Sequence, residues 1–234
     1  MNFLNRSLRK IGIGNKIVIY TALLGGCDEL LDPLQEIKGC DFVCFTDDPK
    51  LKSDVYEIIL CKAKFDDPNR SAKIYKLLPH KFLPKYEFSL WVDGNVIIKL
   101  SNIELFIQKF LGKNNFAALS HPERDCIYDE YKVCLEQKRG EVDLMKKQIQ
   151  DYRKEGYPSN NGLIAGTILL RKHMASEVRN FDEGWWKEVQ KYSRRDQLSF
   201  PYVAWKMGLK YSIIDGVLWD NDYVKLVGHK KIYL

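Results

Sequence analysis

One apolar run with a single short polar interruption most constrains how this chain can fold. Residues 88–98 read Phe-Ser-Leu-Trp-Val-Asp-Gly-Asn-Val-Ile-Ile, with strand-forming residues on both sides of Asp93-Gly94-Asn95. A largely apolar run of this length is typical of a strand buried on both faces. Aspartate and asparagine are disfavoured in strands, and glycine lets the backbone turn. We therefore predict a buried strand that ends at Asp93, at the mouth of a sheet.

The polar interruption has two interpretations. Asp93 and Asn95 would present a carboxylate and an amide oxygen two residues apart, and such oxygen ligands suit a hard cation, Mg²⁺ or Mn²⁺. A cation there would in turn hold a diphosphate. The alternative is an ordinary turn between two strands, because Asp-Gly is among the commonest turn pairs. The spacing alone does not choose between them.

Length, charge and cysteine usage bound the class of protein. The chain has 234 residues, enough for one domain with a large core, and a net charge of +6 that suits an anionic substrate or an anionic membrane surface. No dense Lys/Arg stripe interleaved with aromatic residues occurs, which argues against nucleic acid as a partner. Six cysteines include no CxxC pair, which argues against structural zinc.

The sequence shows no secretory signal and no run that approaches a membrane span, so we expect a cytoplasmic protein. The basic N-terminal segment, residues 1–15, is compatible with peripheral association at the inner face of the membrane. A frayed terminus is the alternative.

Strands alternate with helices along the rest of the chain. We predict further strands over residues 16–22, 41–46, 56–61, 116–120, 162–170 and 211–215, and helices over 28–37, 67–79, 103–111, 176–192 and 194–207. This alternation predicts an α/β fold with a mostly parallel central sheet and helices on both faces. Residues 126–156 are highly charged and keep helical spacing, which indicates a helical excursion from the sheet. Without repeats or linkers, residues 16–234 are predicted to form a single domain.

Three cations on the predicted helix 67–79 are candidates for phosphate binding. Arg70, Lys73 and Lys76 are three residues apart and share roughly one helix face. Cations placed so closely call for an anionic partner, which a phosphate would supply. A solvated basic face is the alternative.

Two other polar positions follow predicted strands. Asp47 ends the second strand, where its carboxylate would either hydrogen-bond a base or ribose or cap a turn. His121 and Arg124 follow the strand over 116–120 and are candidates for donor or acceptor binding. The alternative for His121-Pro122 is simply the start of a loop.

Four pieces of the sequence, in this order, resemble the nucleotide-sugar glycosyltransferases of the GT-A fold. They are a strand ending Tyr20-Thr21-Ala22 followed by Phe45-Thr46-Asp47-Asp48; Asp93-Gly94-Asn95, similar to the Asp-x-Asp motif; Asn160-Asn161-Gly162 before an apolar strand, a Trp-containing helix and Arg195-Asp196-Gln197; and His229 after a glycine. More narrowly, residues 72–80, 91–95 and 195–197 resemble a bacterial and plant group of glycosyltransferases once catalogued as a domain of unknown function. The resemblance spans about residues 16 to 230.

The resemblance implies a single GT-A (Rossmann-like) domain and a divalent cation, Mn²⁺ or Mg²⁺. The implied metal ligands are Asp93, Asn95 and His229. Asn95 departs from the motif, because an amide oxygen can ligate a cation but brings no charge. Asp196 is the implied catalytic residue. It would take the acceptor proton in an inverting enzyme, and would position the acceptor or stabilise the sugar-ring charge in a retaining one.

The resemblance also implies a nucleotide-diphosphate sugar donor, with a UDP-sugar favoured. Together with the residues above, the predicted nucleotide-sugar-binding set is Tyr20, Thr21, Ala22, Asp47, Arg70, Lys73, Lys76, Asp93, Gly94, His121, Arg124, Asn160, Asn161 and Gln197. The implied activity is transfer of a sugar, of hexosyltransferase type, to a glycan or lipid-linked acceptor in bacterial surface polysaccharide synthesis. The alternative is a catalytically inactive module that binds a nucleotide sugar or a glycan.

Overall fold

A computed structural model describes residues 16–26 and 28–228 of the chain. Within these ranges the strands are β1 (Ile17–Leu23), β2 (Asp41–Thr46), β3 (Glu57–Leu60), β4 (Phe88–Val92), β5 (Val96–Ile98), β6 (Phe116–Ser120), β7 (Ile164–Arg171), β8 (Ser212–Ile214) and β9 (Val224–Leu226). The helices are α1 (Pro68–Leu77), α2 (Pro79–Phe82), α3 (Ile103–Phe110), α4 (Ile127–Glu136), α5 (Val142–Lys154), α6 (Ser176–Lys191) and α7 (Asp196–Met207).

The central sheet has seven strands in the order β3-β2-β1-β4-β7-β6-β8. Its strand pairs are parallel except those of β7, which runs antiparallel to both β4 and β6. Apolar cores cover both faces, one packed against α1 and α4–α7, the other against α3. The predicted α/β class, with a mostly parallel sheet and helices on both faces, is confirmed.

Strand direction decides which loops can meet. The carboxyl ends of the six parallel strands reach one edge of the sheet, which we call the carboxyl edge. Because β7 runs the opposite way, it begins rather than ends at this edge, and Ile164 pairs with Ser120, the last residue of β6. The loop before β7 therefore lies beside the ends of β4 and β6, which only the antiparallel direction of β7 makes possible.

The chain turns at the predicted break in its central apolar run. The backbone N–H of Asp93 still donates to Thr167 of β7, at 2.9 Å, but the N–H of Val96 closes a turn onto the Asp93 carbonyl, at 3.0 Å. After the turn, β5 leaves the central sheet and pairs with β9 in a two-stranded ladder. A Cβ on Gly94 would lie 2.5 Å from Cδ2 of Leu23, so any larger residue in the turn would displace that side chain or the turn itself.

Two predicted helices differ from the structure. The helix expected over 28–37 is absent, because Pro33 disfavours the helical conformation at Asp32 and the N–H of Leu34 donates instead to the Ile98 carbonyl. The helix expected over 67–79 is divided, with α1 ending at Leu77 and Pro79 starting α2. The excursion over 126–156 forms α4 and α5, as its helical spacing predicted.

Candidate active site

Two lysines and two aspartates form a compact cluster at the carboxyl edge. The Nζ atom of Lys76 lies 2.9 Å from Oδ2 of Asp196 and 3.3 Å from Oδ1 of Asp93. The Nζ atom of Lys73 lies 2.9 Å from Oδ1 of Asp196. Lys76 and Asp196 are buried, whereas Asp93 and Lys73 keep 30% and 21% of their side chains exposed. Of the four side chains, these two partly exposed groups are the ones that a ligand at the carboxyl edge can reach.

Three elements bring this cluster together. Lys73 and Lys76 are three residues apart on α1, so both ammonium groups leave the same helix face. Asp196 is the first residue of α7, where a carboxylate also complements the helix dipole. Strand β7 passes so close at Gly166 that a Cβ there would lie 3.1 Å from Nζ of Lys76. Glycine at this position leaves room for the buried ammonium group.

The cluster sets the charge of its members. Burial alone would raise the pKa of Asp196, but the ammonium groups of Lys73 and Lys76 hold that pKa below its usual range. Burial lowers the pKa of Lys73 despite the opposing effect of Asp196. For Lys76, two carboxylates outweigh burial and raise the pKa. A carboxylate held ionised by two cations is a weak proton acceptor, so these contacts favour a positioning role for Asp196 over the general base of an inverting enzyme.

A buried network beneath the cluster fixes the end of α1. The Arg171 guanidinium donates to the Lys76 carbonyl at 2.6 Å and to the Tyr20 hydroxyl at 2.8 Å, and it pairs with Asp182 on α6 at 3.2 Å. Tyr20 itself donates to the same Lys76 carbonyl at 3.1 Å. Arg171 and Asp182 are fully buried. The network ties β1, β7 and α6 to the helix that carries both lysines.

Tyr20 is therefore a correction to the predicted binding set. Its side chain is fully buried, forms an edge contact with the Trp91 ring, and has its hydroxyl occupied by Arg171 and Lys76. It has no surface to offer a nucleotide sugar and acts within the core. Thr21 and Ala22, which follow it in β1, are also buried.

Arg70 is a second correction. Its guanidinium donates to the Val189 and Tyr192 carbonyls and pairs with Glu141 at 2.7 Å. One helix turn from Lys73, it thus anchors α1 to the segment after α6 instead of joining the two lysines. Of the three cations predicted to share one site, only Lys73 and Lys76 lie together, and phosphate binding by these two lysines stays a prediction.

The Asp93-Gly94-Asn95 turn offers oxygen donors of the kind a hard cation prefers. Oδ1 of Asp93 accepts from the Trp91 indole at 2.7 Å, and Nδ2 of Asn95 donates to the Val227 carbonyl at 3.1 Å, which fixes the amide. Asp28 adds a carboxylate that sequence reasoning missed, since its Oδ2 would lie 3.4 Å from a Cβ on Gly94. The donor chemistry fits Mg²⁺ or Mn²⁺.

The third predicted metal ligand, His229, lies outside the described residues. Within residues 16–26 and 28–228, no group of three or more His, Cys, Asp or Glu side chains is close enough to hold a metal ion. The metal site therefore stays a prediction, with Asp93 and Asn95 as its described part.

A second polar cluster adjoins the first around the buried Glu130, which sequence reasoning also missed. Glu130 pairs with Arg124 at 2.8 Å and Arg195 at 3.3 Å, and Nε2 of His121 lies 3.6 Å away. Burial would raise the pKa of Glu130, but Arg195 and Arg124 hold that pKa below its usual range. Arg195 also donates to Gln197, whose amide reaches the Ile164 carbonyl at the start of β7. Arg124, His121 and Gln197 thus share one neighbourhood.

The His121 ring also serves its own loop. Nδ1 accepts from the backbone N–H groups of Glu123 and Arg124, and the His121 N–H donates to the Leu163 carbonyl at 2.8 Å. These contacts correspond to the alternative in which His121-Pro122 starts a loop, and that loop lies at the carboxyl edge. A role of His121 in donor or acceptor binding stays a prediction. No local pattern marks Glu130, because it is one acidic residue among many in a charged stretch.

The remaining predicted contacts lie at the same edge. Both carboxylate oxygens of Asp47 accept from the N–H of Gly25 at 3.1 Å, which joins the end of β2 to the loop after β1, and a role of Asp47 in nucleotide binding stays a prediction. Asn160 and Asn161 are exposed in the loop before β7, and Asn160 has a left-handed backbone with φ of 52°. Their role in binding stays a prediction.

Comparison with known proteins gives the class first. A family model for a glycosyltransferase-like domain matches residues 46–230, which is more than half of the chain. The chain therefore belongs to the TOD1/MUCI70 family of glycosyltransferase-like domains.

Two curated proteins of Arabidopsis thaliana are similar in sequence. The probable hexosyltransferase MUCI70 is 26% identical over 164 residues, which cover 65% of this chain and 28% of that protein. The alkaline ceramidase TOD1 is 22% identical over 223 residues, which cover 80% of this chain and 48% of that protein. The chain thus spans less than half the length of each of these relatives.

Solved structures of glycosyltransferases are similar at low identity. The bifunctional glycosyltransferase WbbM matches 88% of this chain and 39% of its own at 8% identity and a TM-score of 0.49. Mouse xyloside xylosyltransferase 1 matches 87% of this chain and 86% of its own at 10% identity and a TM-score of 0.45. The galactosyltransferase LgtC, solved with donor and acceptor sugar analogues, covers 80% and 70% at 11% identity and a TM-score of 0.40.

Proposed function

We propose that this protein transfers a sugar from a nucleotide-diphosphate sugar, with a UDP-sugar favoured, to a glycan or lipid-linked acceptor, and that it serves bacterial surface polysaccharide synthesis. Membership of a glycosyltransferase-like family supports the class. The observation that carries the proposal is the Lys73–Asp196–Lys76–Asp93 cluster at the carboxyl edge. In open α/β sheets, ligands bind outside the carboxyl ends of the strands.

The chemistry of the reaction accounts for the cluster. As the sugar–phosphate bond breaks, negative charge grows on the leaving diphosphate. Prepositioned cations stabilise that charge more strongly in a partly buried site than in water. Lys73 is the partly exposed cation and faces the leaving group. Asp196 and the buried Lys76 hold Lys73 in place and keep the cluster electrically balanced before the donor arrives.

Asp93 and Asn95 would hold the divalent cation, with His229 as the proposed third ligand. When bound, that cation would supply a Lewis acid that neutralises the diphosphate. Lys76 balances the Asp93 charge from the protein side, at 3.3 Å. The donor sugar would then lie between this turn and the Arg195-Asp196-Gln197 segment.

Thermal unfolding with nucleotide tests the proposal. UDP with Mn²⁺ should raise the melting temperature of the wild-type protein, and Asp93→Ala should remove the part of the shift that depends on Mn²⁺. Lys73→Met should reduce the shift produced by UDP, because it removes the partly exposed cation while Asp196 keeps Lys76. Lys147→Met is the matched control, since Lys147 pairs only at the surface with Asp151. Equal shifts in Lys73→Met and the control would contradict the proposal, as would no wild-type shift with UDP, GDP or ADP.

Product analysis separates the enzyme from the inactive binding module. Release of UDP from UDP-glucose, UDP-galactose or UDP-xylose, slow with water and faster with an acceptor, is expected of the enzyme. Binding of these donors without any UDP release would identify the binding module instead. Direct titration of Mn²⁺ by calorimetry, in wild type and Asp93→Ala, tests the metal site without relying on activity.

A further inference from the structure

An exposed tryptophan lies beside the Asp93–Asn95 turn. The Trp219 carbonyl accepts from the N–H of Leu226 at 2.9 Å, and Leu226 pairs on its other side with Val96. The next residue, Val227, donates its N–H to the Asn95 carbonyl at 2.8 Å. Two strand spacings therefore separate Trp219 from the first residue after the turn, about 10 Å. Trp219 is nevertheless 56% exposed.

The loop that carries Trp219 is ordered by its own contacts. Asn221 donates to the Val217 carbonyl at 2.8 Å and accepts from the N–H groups of Tyr223 and Val224. Gly216 has φ of 103°, and a Cβ on it would lie 2.7 Å from Cβ of Asn221. The backbone on both sides of Trp219 is thus fixed while its ring faces solvent. Such preorganisation reduces the ordering cost of binding.

The origin of the loop indicates which substrate the ring meets. Residues 215–219 lead from the end of β8, the last strand at one end of the central sheet, to the ladder beside β4. In an open α/β sheet the ligand crevice lies where the strand order reverses, here between β1 and β4, and the Gly25–Asp47 contact lies on the β1–β2 side of it. The loop that carries Trp219 comes from the β6–β8 half of the sheet, opposite the β1–β2 half.

We propose that Trp219 is an acceptor-side platform against which the apolar face of a sugar ring stacks. A pyranose presents a face of C–H groups, and the indole ring offers a large, electron-rich apolar surface. The proposal rests on the proposed glycosyltransferase function and assigns to it an acceptor that is a carbohydrate at the point of transfer. Val217, 59% exposed on the same loop, extends the apolar surface.

Saturation-transfer NMR on the whole protein tests the platform. The probes are the methyl β-glycosides of glucose, galactose and xylose, each titrated with UDP present. Four proteins are compared, namely wild type, Trp219→Ala, Trp219→Phe and Trp205→Ala. Trp205 is the matched control because it is 42% exposed but lies on α7, away from the loop. Melting temperatures verify that every variant is folded.

At least one glycoside should bind the wild type, and Trp219→Ala should weaken it about tenfold, equivalent to about 1.4 kcal/mol. Trp219→Phe should retain most of the affinity, Trp205→Ala should match the wild type, and UDP affinity should be equal in all four. Unchanged glycoside binding in Trp219→Ala, or no glycoside binding to the wild type, would overturn the proposal. Weakened UDP binding in Trp219→Ala would assign the Trp219 ring to the donor site instead, and would overturn the proposal as well.

Failure of the proposed function has a different signature. If the wild type does not bind UDP, the nucleotide-sugar assignment fails, and the glycoside titration repeated without nucleotide still decides whether Trp219 binds a sugar.

Discussion

Lys76 and Asp196 form an ion pair of 2.9 Å in which neither side chain is more than 5% exposed. The pair joins the last turn of α1 to the first residue of α7, 120 residues later in the chain. Taking two charges out of water is costly, and their attraction offsets that cost only while both partners are present. The pair therefore stabilises the packing of α1 against α7. It also holds the more exposed side chains in place, because Asp196 pairs with Lys73 and Lys76 pairs with Asp93.

Asp196→Asn should destabilise the fold, because it leaves two neighbouring ammonium groups without their shared counter-charge. We expect the free energy of unfolding to fall by about 3 kcal/mol at pH 7, measured by urea unfolding. Asp129→Asn is the control, since Asp129 pairs only with Lys132 at the surface, and its unfolding midpoint should match the wild type. Equal urea midpoints in Asp196→Asn and Asp129→Asn would show that the Lys76–Asp196 pair does not stabilise the packing of α1 against α7.

The Arg171–Asp182 pair should behave as one unit. Arg171→Met removes three contacts and leaves a buried carboxylate unpaired, so the free energy of unfolding should fall by about 3–5 kcal/mol. Asp182→Leu alone should lower the free energy of unfolding by a similar amount, because it leaves the buried Arg171 guanidinium unpaired. The double variant should lose less than the sum of the two, with a coupling energy of about 1–3 kcal/mol in a denaturation cycle. Additive losses would mean that the two side chains stabilise the fold independently.

Gly94→Ala should weaken nucleotide binding through a steric effect. The added methyl group would lie 2.5 Å from Cδ2 of Leu23 and 3.3 Å from Cβ of Asp28, so the Leu23 side chain or the turn that carries Asp93 must shift. Overpacking of this kind costs about 1–3 kcal/mol. Gly184→Ala, whose Cβ would lie 2.8 Å from Sδ of Met207 at the far end of α7, is the matched control for calorimetric titration with UDP.

Leu23→Val tests the cause, because it removes the clashing methyl group. The double variant Gly94→Ala/Leu23→Val should recover UDP affinity relative to Gly94→Ala. If affinity stays low, the glycine is needed for something other than room beside Leu23.

Stability should fall as the pH drops from about 6.5 to about 4 because of His173. Burial, with a smaller effect of Arg171, lowers the pKa of His173 to about 4 in the native state. The unfolded chain binds this proton below about 6.5, so between the two values protonation favours unfolding. The contribution is fully present above about pH 6.5. Two and a half pH units correspond to roughly 3 kcal/mol at most.

His173→Gln should flatten this part of the profile while its longer amide replaces the contact of Nε2 with the Leu83 carbonyl, 3.1 Å in the native protein. Urea unfolding at pH 7.5, 6.0 and 4.5 measures the difference between the two proteins. Parallel profiles for the wild type and the variant would assign the acid sensitivity to other groups.

Local chemistry explains what could be predicted from the residues. The alternation of apolar runs with amphipathic stretches predicts β1, β2, β4, β6 and β7 within one or two residues. Asp-Gly-Asn predicts the turn after β4, because its residues resist a strand wherever they occur. The stretch around Pro33 shows the limit of such patterns. Its acidic residues and scattered leucines predicted a helix, but the N–H of Leu34 donates to the Ile98 carbonyl of β5 instead of to a helical partner.

By itself, therefore, the sequence determined the α/β class, the position of the turn at Asp93 and the presence of cations on α1. Only the tertiary structure decided that Lys73 and Lys76 meet Asp196, that Arg70 one turn earlier pairs with Glu141, and that Tyr20 is buried. The physical reason is the distance along the chain over which each kind of interaction acts. Propensity and turn chemistry act over a few residues, whereas an ion pair across 120 residues depends on how helices pack on the sheet and on the reversed direction of β7.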